Sequence, residues 1–169
     1  MFDAHTVDTA PEGSRQAMRN VAAAWGGKLP EAAARLANAP ELLNGFLAMS
    51  DSFDNCTLDP LAREVVIMVV AVRNDCHICI RIHSARLRAH GADTALIAAL
   101  RAQEALSDKR LEAIRVFTLA VLATAGGVDD DTLQALLAHG YTERNALEVV
   151  LGIGTYTMST LANRLVRAV

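Results

Sequence analysis

LDPLAREVVIMVVAVRNDCHICIRIHSARLRAHG, residues 58–91, decides how this chain folds. Asp59-Pro60 is a helix start: an aspartate that can accept from free backbone N–H groups, then a proline whose fixed φ suits the first helical position. No polar side chain occurs from Val65 to Val72, so a helix running to about Arg73 is expected to be buried on most sides. Asn74-Asp75 reads as a turn. Asp75 can cap a second helix, Cys76 to His90, which Gly91 ends. The reading predicts an antiparallel helix hairpin with its turn near Asn74.

The flanking sequence is helical too. Strand signals are weak, alanine and leucine dominate, and apolar residues recur three and four apart. Helices are expected over Ser14–Trp25 with Ser14 as cap, over Glu31–Asn38 with Pro30 as the first helical residue, and over Glu41–Phe53 behind Pro40. Further helices are expected over Asp93–Gln103, from Ser107 or Asp108 to Thr124, over Asp129–His139, and from Thr142 to about Val169. Pro11 and Gly13 end a short arm. The expectation is an all-α, single-domain helical bundle over residues 14–169, preceded by an N-terminal arm over 1–13. Arg144 and Glu148 share one side of the last helix, which is otherwise apolar around most of its circumference. Part of its burial is expected to come from another copy of the chain, in a homo-oligomer.

Composition narrows the function classes. Hydrophobic residues make up 52 % of the 169, enough for a sizeable core. The net charge is -3, no basic run occurs, and aromatics are 4 %, so the footprint of a nucleic-acid binder is missing. The longest apolar run is far short of the roughly 20 residues a bilayer demands, and the N-terminus lacks the pattern of a signal peptide. A cytoplasmic setting follows as the expectation, where a close cysteine pair is catalytic or metal-binding more often than a permanent staple.

The chemistry sits in Cys76-His77-Ile78-Cys79 and His83. Thiols in the first turns of a helix meet free N–H groups and the positive end of the dipole, which favours the reactive thiolate. The three-residue spacing puts both on one face, where a disulfide can form. His83 lies four residues beyond Cys79, so its imidazole can take the thiol proton, a nucleophile-and-base pair. A base needs orienting. Glu64 lies ten residues before Asn74 and His83 nine after it, so at about 1.5 Å per residue both stand roughly 14 Å from the turn. A carboxylate at the edge of a buried helix requires a partner, and His83 supplies one. Zinc held by Cys76, Cys79, His83 and one of Glu64, His77 or Cys56 is the rival reading. Cys56 reads as a passive apolar residue, His77 as surface, Arg73, Arg81 and Arg86 as solvated or interfacial charges. Trp25, Tyr141 and Tyr156 read as core, and Asn163 as a satisfied core polar group.

With Glu64, Cys76, Cys79 and His83 in the pattern E-x11-C-x-x-C-x-x-x-H, the chain resembles the carboxymuconolactone decarboxylase superfamily, specifically its alkylhydroperoxidase D-like branch. The likeness extends more loosely over residues 25–125 and to TYTMSTLANRLV near the end. It implies an all-helical fold assembled as trimers or hexamers. It implies that Cys79 attacks the peroxide through a sulfenic acid, that Cys76 condenses with it to a disulfide, and that His83 and Glu64 relay the proton. No metal or organic cofactor is expected. One departure stands out: the family often has a histidine just before the second cysteine, where this chain has Ile78. The leading expectation is a thiol-dependent hydroperoxide reductase acting on a small hydroperoxide and recycled by a dithiol or lipoyl-type reductant protein. The competing readings are a disulfide oxidoreductase without peroxide turnover, and a non-enzymatic zinc-binding or redox-sensing module.

Overall fold

The computed structural model describes residues 2–168. Nine helices follow in order among these residues: α1 (Glu12–Ala24), α2 (Glu31–Leu36), α3 (Pro40–Asp54), α4 (Pro60–Arg73), α5 (His77–Ala89), α6 (Thr94–Ala102), α7 (Lys109–Thr124), α8 (Asp130–Leu137) and α9 (Glu143–Leu165). The chain is all-α, as its periodicity requires, and among the described residues no helix is long and apolar enough to cross a membrane.

α4 is the axis of the fold. Asp59 caps it, accepting from the N–H of Ala62, with Pro60 in its first turn. Its residues from Glu64 to Ala71 are all buried, because α5, α7 and α9 pack around it. Burial of this kind stabilises by about 1.5–3 kcal/mol per large aliphatic side chain. A second apolar cluster joins Met18 of α1, Leu36 of α2, Leu43 of α3 and Ala162 of α9. Residues 2–5 are tied to α2: the N–H of His5 donates to Ala34 O, and Arg35 donates to Phe2 O.

Several helix ends differ from the sequence reading. Asp75 does not cap α5. It adopts a left-handed φ of 52°, its N–H bonds Val72 O, and the N–H of Cys76 bonds Ala71 O. That pair closes α4 in a Schellman motif, whose left-handed position aspartate tolerates better than most residues. Cys76 is therefore the N-cap of α5, and Cys79 sits in its first turn. Ser14 is not a cap either. α1 begins at Glu12 behind Pro11, and the buried Ser14 hydroxyl donates to Ala37 O at 2.8 Å. Pro30 precedes α2 as its N-cap. α9 stops at Leu165, short of Val169, which lies outside the described residues. Arg167 turns left-handed with φ 55°, and the N–H of Ala168 closes onto Asn163 O.

Two contacts seat α9 on the rest. At Gly152 an added Cβ would lie 2.6 Å from the ring of the fully buried Phe53 and 3.0 Å from Val66. Hydrogen alone lets the helices approach this closely. At its N-terminus, buried Glu148 accepts from Thr57 N and Oγ1, from Asn145 Nδ2 and from Arg144 Nε. Burial pushes this carboxyl up, but the hydrogen bonds more than offset it and hold Glu148 at about 2, below its ordinary 4.5. The loop before α4 is thereby tied to α9.

Gly152→Ala is expected to destabilise by about 1–3 kcal/mol in chemical denaturation through overpacking, although alanine is by itself about 1 kcal/mol better in a helix. A folded-state pKa below the unfolded one contributes stability above the unfolded value and loses it as pH falls through the folded one. Glu148 should therefore stabilise fully above 4.5 and lose its contribution between 4.5 and about 2. Glu148→Gln should show a flatter acid limb over that window in melting temperature against pH.

Candidate active site

The hairpin brings its two polar residues together. His83 Nδ1 and Glu64 Oε2 lie 2.7 Å apart, and the residues are only 6 % and 3 % exposed. The carboxylate engages Nδ1 and leaves Nε2 as the ring's free nitrogen, which fixes the tautomer a base toward Cys79 requires. Arg86, one turn on, reaches the other carboxylate oxygen at 3.7 Å and Asp54 of α3 at 3.8 Å. Sequence reading took Arg86 for a solvated or interfacial charge, yet it also braces the orienting carboxylate.

Cys76 and Cys79 are both free thiols and both buried. They share a proton. The hydrogen bond from Cys79 pulls Cys76 down to about 7, against burial, with further help from the Cys79 N–H, Asn163 and Arg164. The same bond, and then burial, pushes Cys79 up. Above about 7 the pair thus carries one negative charge and one proton, and its titration belongs to the pair. For Cys79 to become the nucleophile its proton must move, and His83 stands one helical turn away to take it.

α9 supplies what the sequence reading missed. Asn74 Nδ2 donates to Thr160 Oγ1, and Arg164 donates to Asn74 O, so the α4–α5 turn is clamped to this helix. Asn163 lies between those two contacts on α9. Its Nδ2 donates to Cys79 Sγ at 3.4 Å. Its Oδ1 is buried with no partner, although Asn163 is only 7 % exposed. It was expected to be a satisfied core residue. A buried amide with one end on a thiol and the other unpaired costs stability and is poised to accept from a bound group. The available signal was the polar series Tyr156, Ser159, Asn163 at helical spacing on a mostly apolar helix.

Cys79 and His83 open on a cavity of about 180 Å³. Its walls are mainly apolar: Trp25 and Ala33 from the N-terminal segment, Phe46 and Leu47 from α3, Tyr156 from α9. Tyr156 stands edge-on to the His83 ring with centroids 5.2 Å apart, and its hydroxyl meets Ser50 Oγ at 3.4 Å. Burial pushes this phenol up to about 12, so it remains a neutral donor. Tyr141 and Tyr156 are core residues as expected, whereas Trp25 is half exposed at the cavity wall. His77 is exposed, and Cys56 is half-buried with its thiol raised by burial. Among the described residues no three His, Cys, Asp or Glu side chains are grouped as metal ligands.

Residues 40–111 match the carboxymuconolactone decarboxylase family. Among solved structures, the alkylhydroperoxidase AhpD core of an uncharacterized peroxidase-related protein from Ralstonia eutropha JMP134 superposes with a TM-score of 0.87 at 21 % identity, covering 99 % of this chain and 90 % of that one. An uncharacterized peroxidase-related protein from Silicibacter sp. TM1040 gives 0.81 at 22 % identity, covering 99 % and 89 %. A cysteine-to-alanine variant of the debrominase Bmp8, in complex with 2,3,4-tribromopyrrole, gives 0.78 at 14 % identity over 100 % and 90 %. No curated protein sequence matches. Over residues 40–111 the chain is thus similar to the carboxymuconolactone decarboxylase family, and as a whole it shares the all-helical fold of the peroxidase-related solved structures.

Proposed function

We propose that the protein is a thiol-dependent hydroperoxide reductase, with Cys79 as attacking thiol, Cys76 as resolving thiol, and His83 and Glu64 as the proton relay. The observation that carries this reading is a buried thiol pair opening on an apolar cavity beside a histidine whose Nδ1 is engaged by a buried carboxylate. Cys79 gives its proton to His83 and attacks the terminal oxygen of the hydroperoxide. The S–O bond forms as O–O breaks, sulfur gives two electrons, and the alkoxide leaves as alcohol with the His83 proton. Cys76 then attacks the sulfenic sulfur: S–S forms, S–O breaks, and hydroxide leaves as water with a proton from solvent. A dithiol or lipoyl-type protein returns two electrons, in a reducing cytoplasmic setting.

Asn163 fits both ends of the first step. Its Nδ2 donates to the thiolate, and its unpaired Oδ1 can accept from the hydroperoxide O–H and then from the sulfenic acid. The apolar walls favour an organic hydroperoxide over hydrogen peroxide. Along α9, Leu147, Val150, Leu161 and Leu165 are exposed, which supports burial of this stripe between copies in a trimer or hexamer.

Steady-state reduction of tert-butyl hydroperoxide with a lipoyl-type dithiol tests the reading. Wild type should turn over and Cys79→Ser should not. Cys76→Ser should form a sulfenic acid trappable by dimedone without sustained turnover. His83→Ala should lose about 10²–10⁴-fold. A wild type no better than Cys79→Ser, but able to equilibrate dithiols with disulfides, would make the pair a disulfide relay instead.

The wild-type rate should rise with pH through about 7, where the thiol pair first ionises. Asn163→Asp keeps the size, removes the donor and adds a like charge. It should move the alkylation pKa of the pair upward by about one unit or more, read with iodoacetamide and so independently of peroxide turnover.

A further inference from the structure

The two sulfurs open on different surfaces. Cys79 lines the apolar cavity and Cys76 does not. Cys76 instead lies in the floor of a groove of about 520 Å³ with Asp75, His77, Arg81, Arg164 and Arg167, a groove that Cys79 does not line. Asn163 borders both spaces and forms part of the wall between them. A neighbouring groove of about 480 Å³ shares His77 and Arg81 and adds Arg88 and Arg101.

This face is strongly basic in a chain of net charge -3. Arg81, Arg88, Arg101, Arg164 and Arg167 are all exposed. Elsewhere several arginines sit beside carboxylates, Arg35 on Glu31, Arg110 on Asp59, Arg115 on Glu112 and Arg144 on Glu148, and those without an ion pair, such as Arg15 and Arg63, are not gathered on one groove. On this face Arg164 approaches Asp75 at 3.6 Å, and no carboxylate among the described residues pairs with the other four. Exposed arginines of one sign raise the local concentration of an anionic partner. Arg81 and Arg88 alone are separated by about 10 Å along α5, and Arg101 and Arg167 carry the charge onto α6 and beyond α9. That breadth exceeds one small thiol and suits a protein surface.

Resting on the redox-pair reading above, we infer that this arginine face docks an acidic protein surface bearing a dithiol arm, and that the arm attacks Cys76. The arm's thiolate strikes Cys76 Sγ of the Cys76–Cys79 disulfide. An intermolecular S–S bond forms, the internal one breaks, and Cys79 leaves as thiolate. The arm's second thiol attacks the arm's first sulfur and releases Cys76. Two electrons pass from the arm to the pair, and the arm departs as a disulfide, its second thiol proton going to Cys76 or to solvent. Oxidant and reductant thus enter by separate doors. Cys76 is only 1 % exposed, so a thiol that does not dock on the rim has little to strike.

The test starts from protein oxidised with diamide, so that it does not depend on peroxide turnover. Reduction is followed by maleimide gel shift with four probes: an aspartate-flanked dithiol peptide, its lysine-flanked counterpart, glutathione and dithiothreitol. At low salt the aspartate peptide should be faster than the lysine peptide by about tenfold or more, and the advantage should shrink as salt is added. Arg81→Glu and Arg88→Glu should remove most of that advantage and leave dithiothreitol unchanged. A single-thiol version of the aspartate peptide should be trapped on Cys76. Equal rates for the two peptides, or trapping on Cys79, would overturn the proposal. Glutathione matching the aspartate peptide would replace the protein partner by a small anionic thiol. Should the pair fail to oxidise, the redox reading falls, and the docking face is tested alone by anisotropy of a labelled serine version of the aspartate peptide. Binding that Arg88→Glu weakens upholds the face, and binding indifferent to that change overturns it.

Discussion

The contact between His83 Nδ1 and Glu64 Oε2, 2.7 Å long and closed off from solvent, is the constraint on which the structure turns. A carboxylate on the most buried helix of the molecule is costly unless it is paired. Its partner stands on the next helix, so the pair fixes how α4 and α5 lie against each other. Removing one member of such a buried pair typically costs about 3–5 kcal/mol, comparable to the net stability of a small domain. The same contact sets the histidine tautomer. Helix register and imidazole orientation are therefore set by one interaction, with Arg86 bracing the far side of the carboxylate.

α9 completes what the hairpin begins. The hairpin carries the thiols, His83 and Glu64, and α9 brings Asn163 to Cys79 and Tyr156 to His83. Its placement rests on the clamp from Asn74 to Thr160 and Arg164 at one end, the close approach at Gly152 in the middle, and the Glu148 network at the other end. All three are short-range contacts that a modest shift would break. The amide nitrogen rests on the sulfur only because α9 is held in this way. Residues 40–111, which match the family, include none of α9 and none of α1 or α2. The thiols, His83 and Glu64 lie within that stretch, whereas much of the cavity wall comes from outside it.

The single proton shared by the thiols gives the site a direction. Their mutual hydrogen bond lowers Cys76, at the helix N-terminus and on the basic side, and raises Cys79, on the apolar side. In the proposed reaction, moving that proton to His83 would place the nucleophile on the apolar cavity that Cys79 lines. Two sulfurs facing two environments would, in the proposed reaction, separate the tasks of meeting an oxidant and meeting a reductant.

The sequence by itself determined the helix hairpin, its polar contact and the identity of the thiol pair. These rest on local signals: the Asp59-Pro60 start, the unbroken apolar run after Glu64, and matched distances from one turn. Periodicity also revealed every helix, since 3.6-residue spacing is a property of each segment alone. What only the tertiary structure decided is what faces what. Asp75 was taken for the cap of α5, but closing α4 needed a left-handed residue at that position, and the demand of the preceding helix prevailed. Ser14 looked like a cap, but α2 gave its hydroxyl a better acceptor in Ala37 O. Asn163 looked like an ordinary core amide, because its contact with Cys79 spans more than eighty residues of chain, and no local pattern encodes so distant a partner. The opening of the two cysteines onto different spaces belongs to the same class: their spacing shows that they can bond, while only the packing of α1, α3 and α9 around them shows which space each one meets.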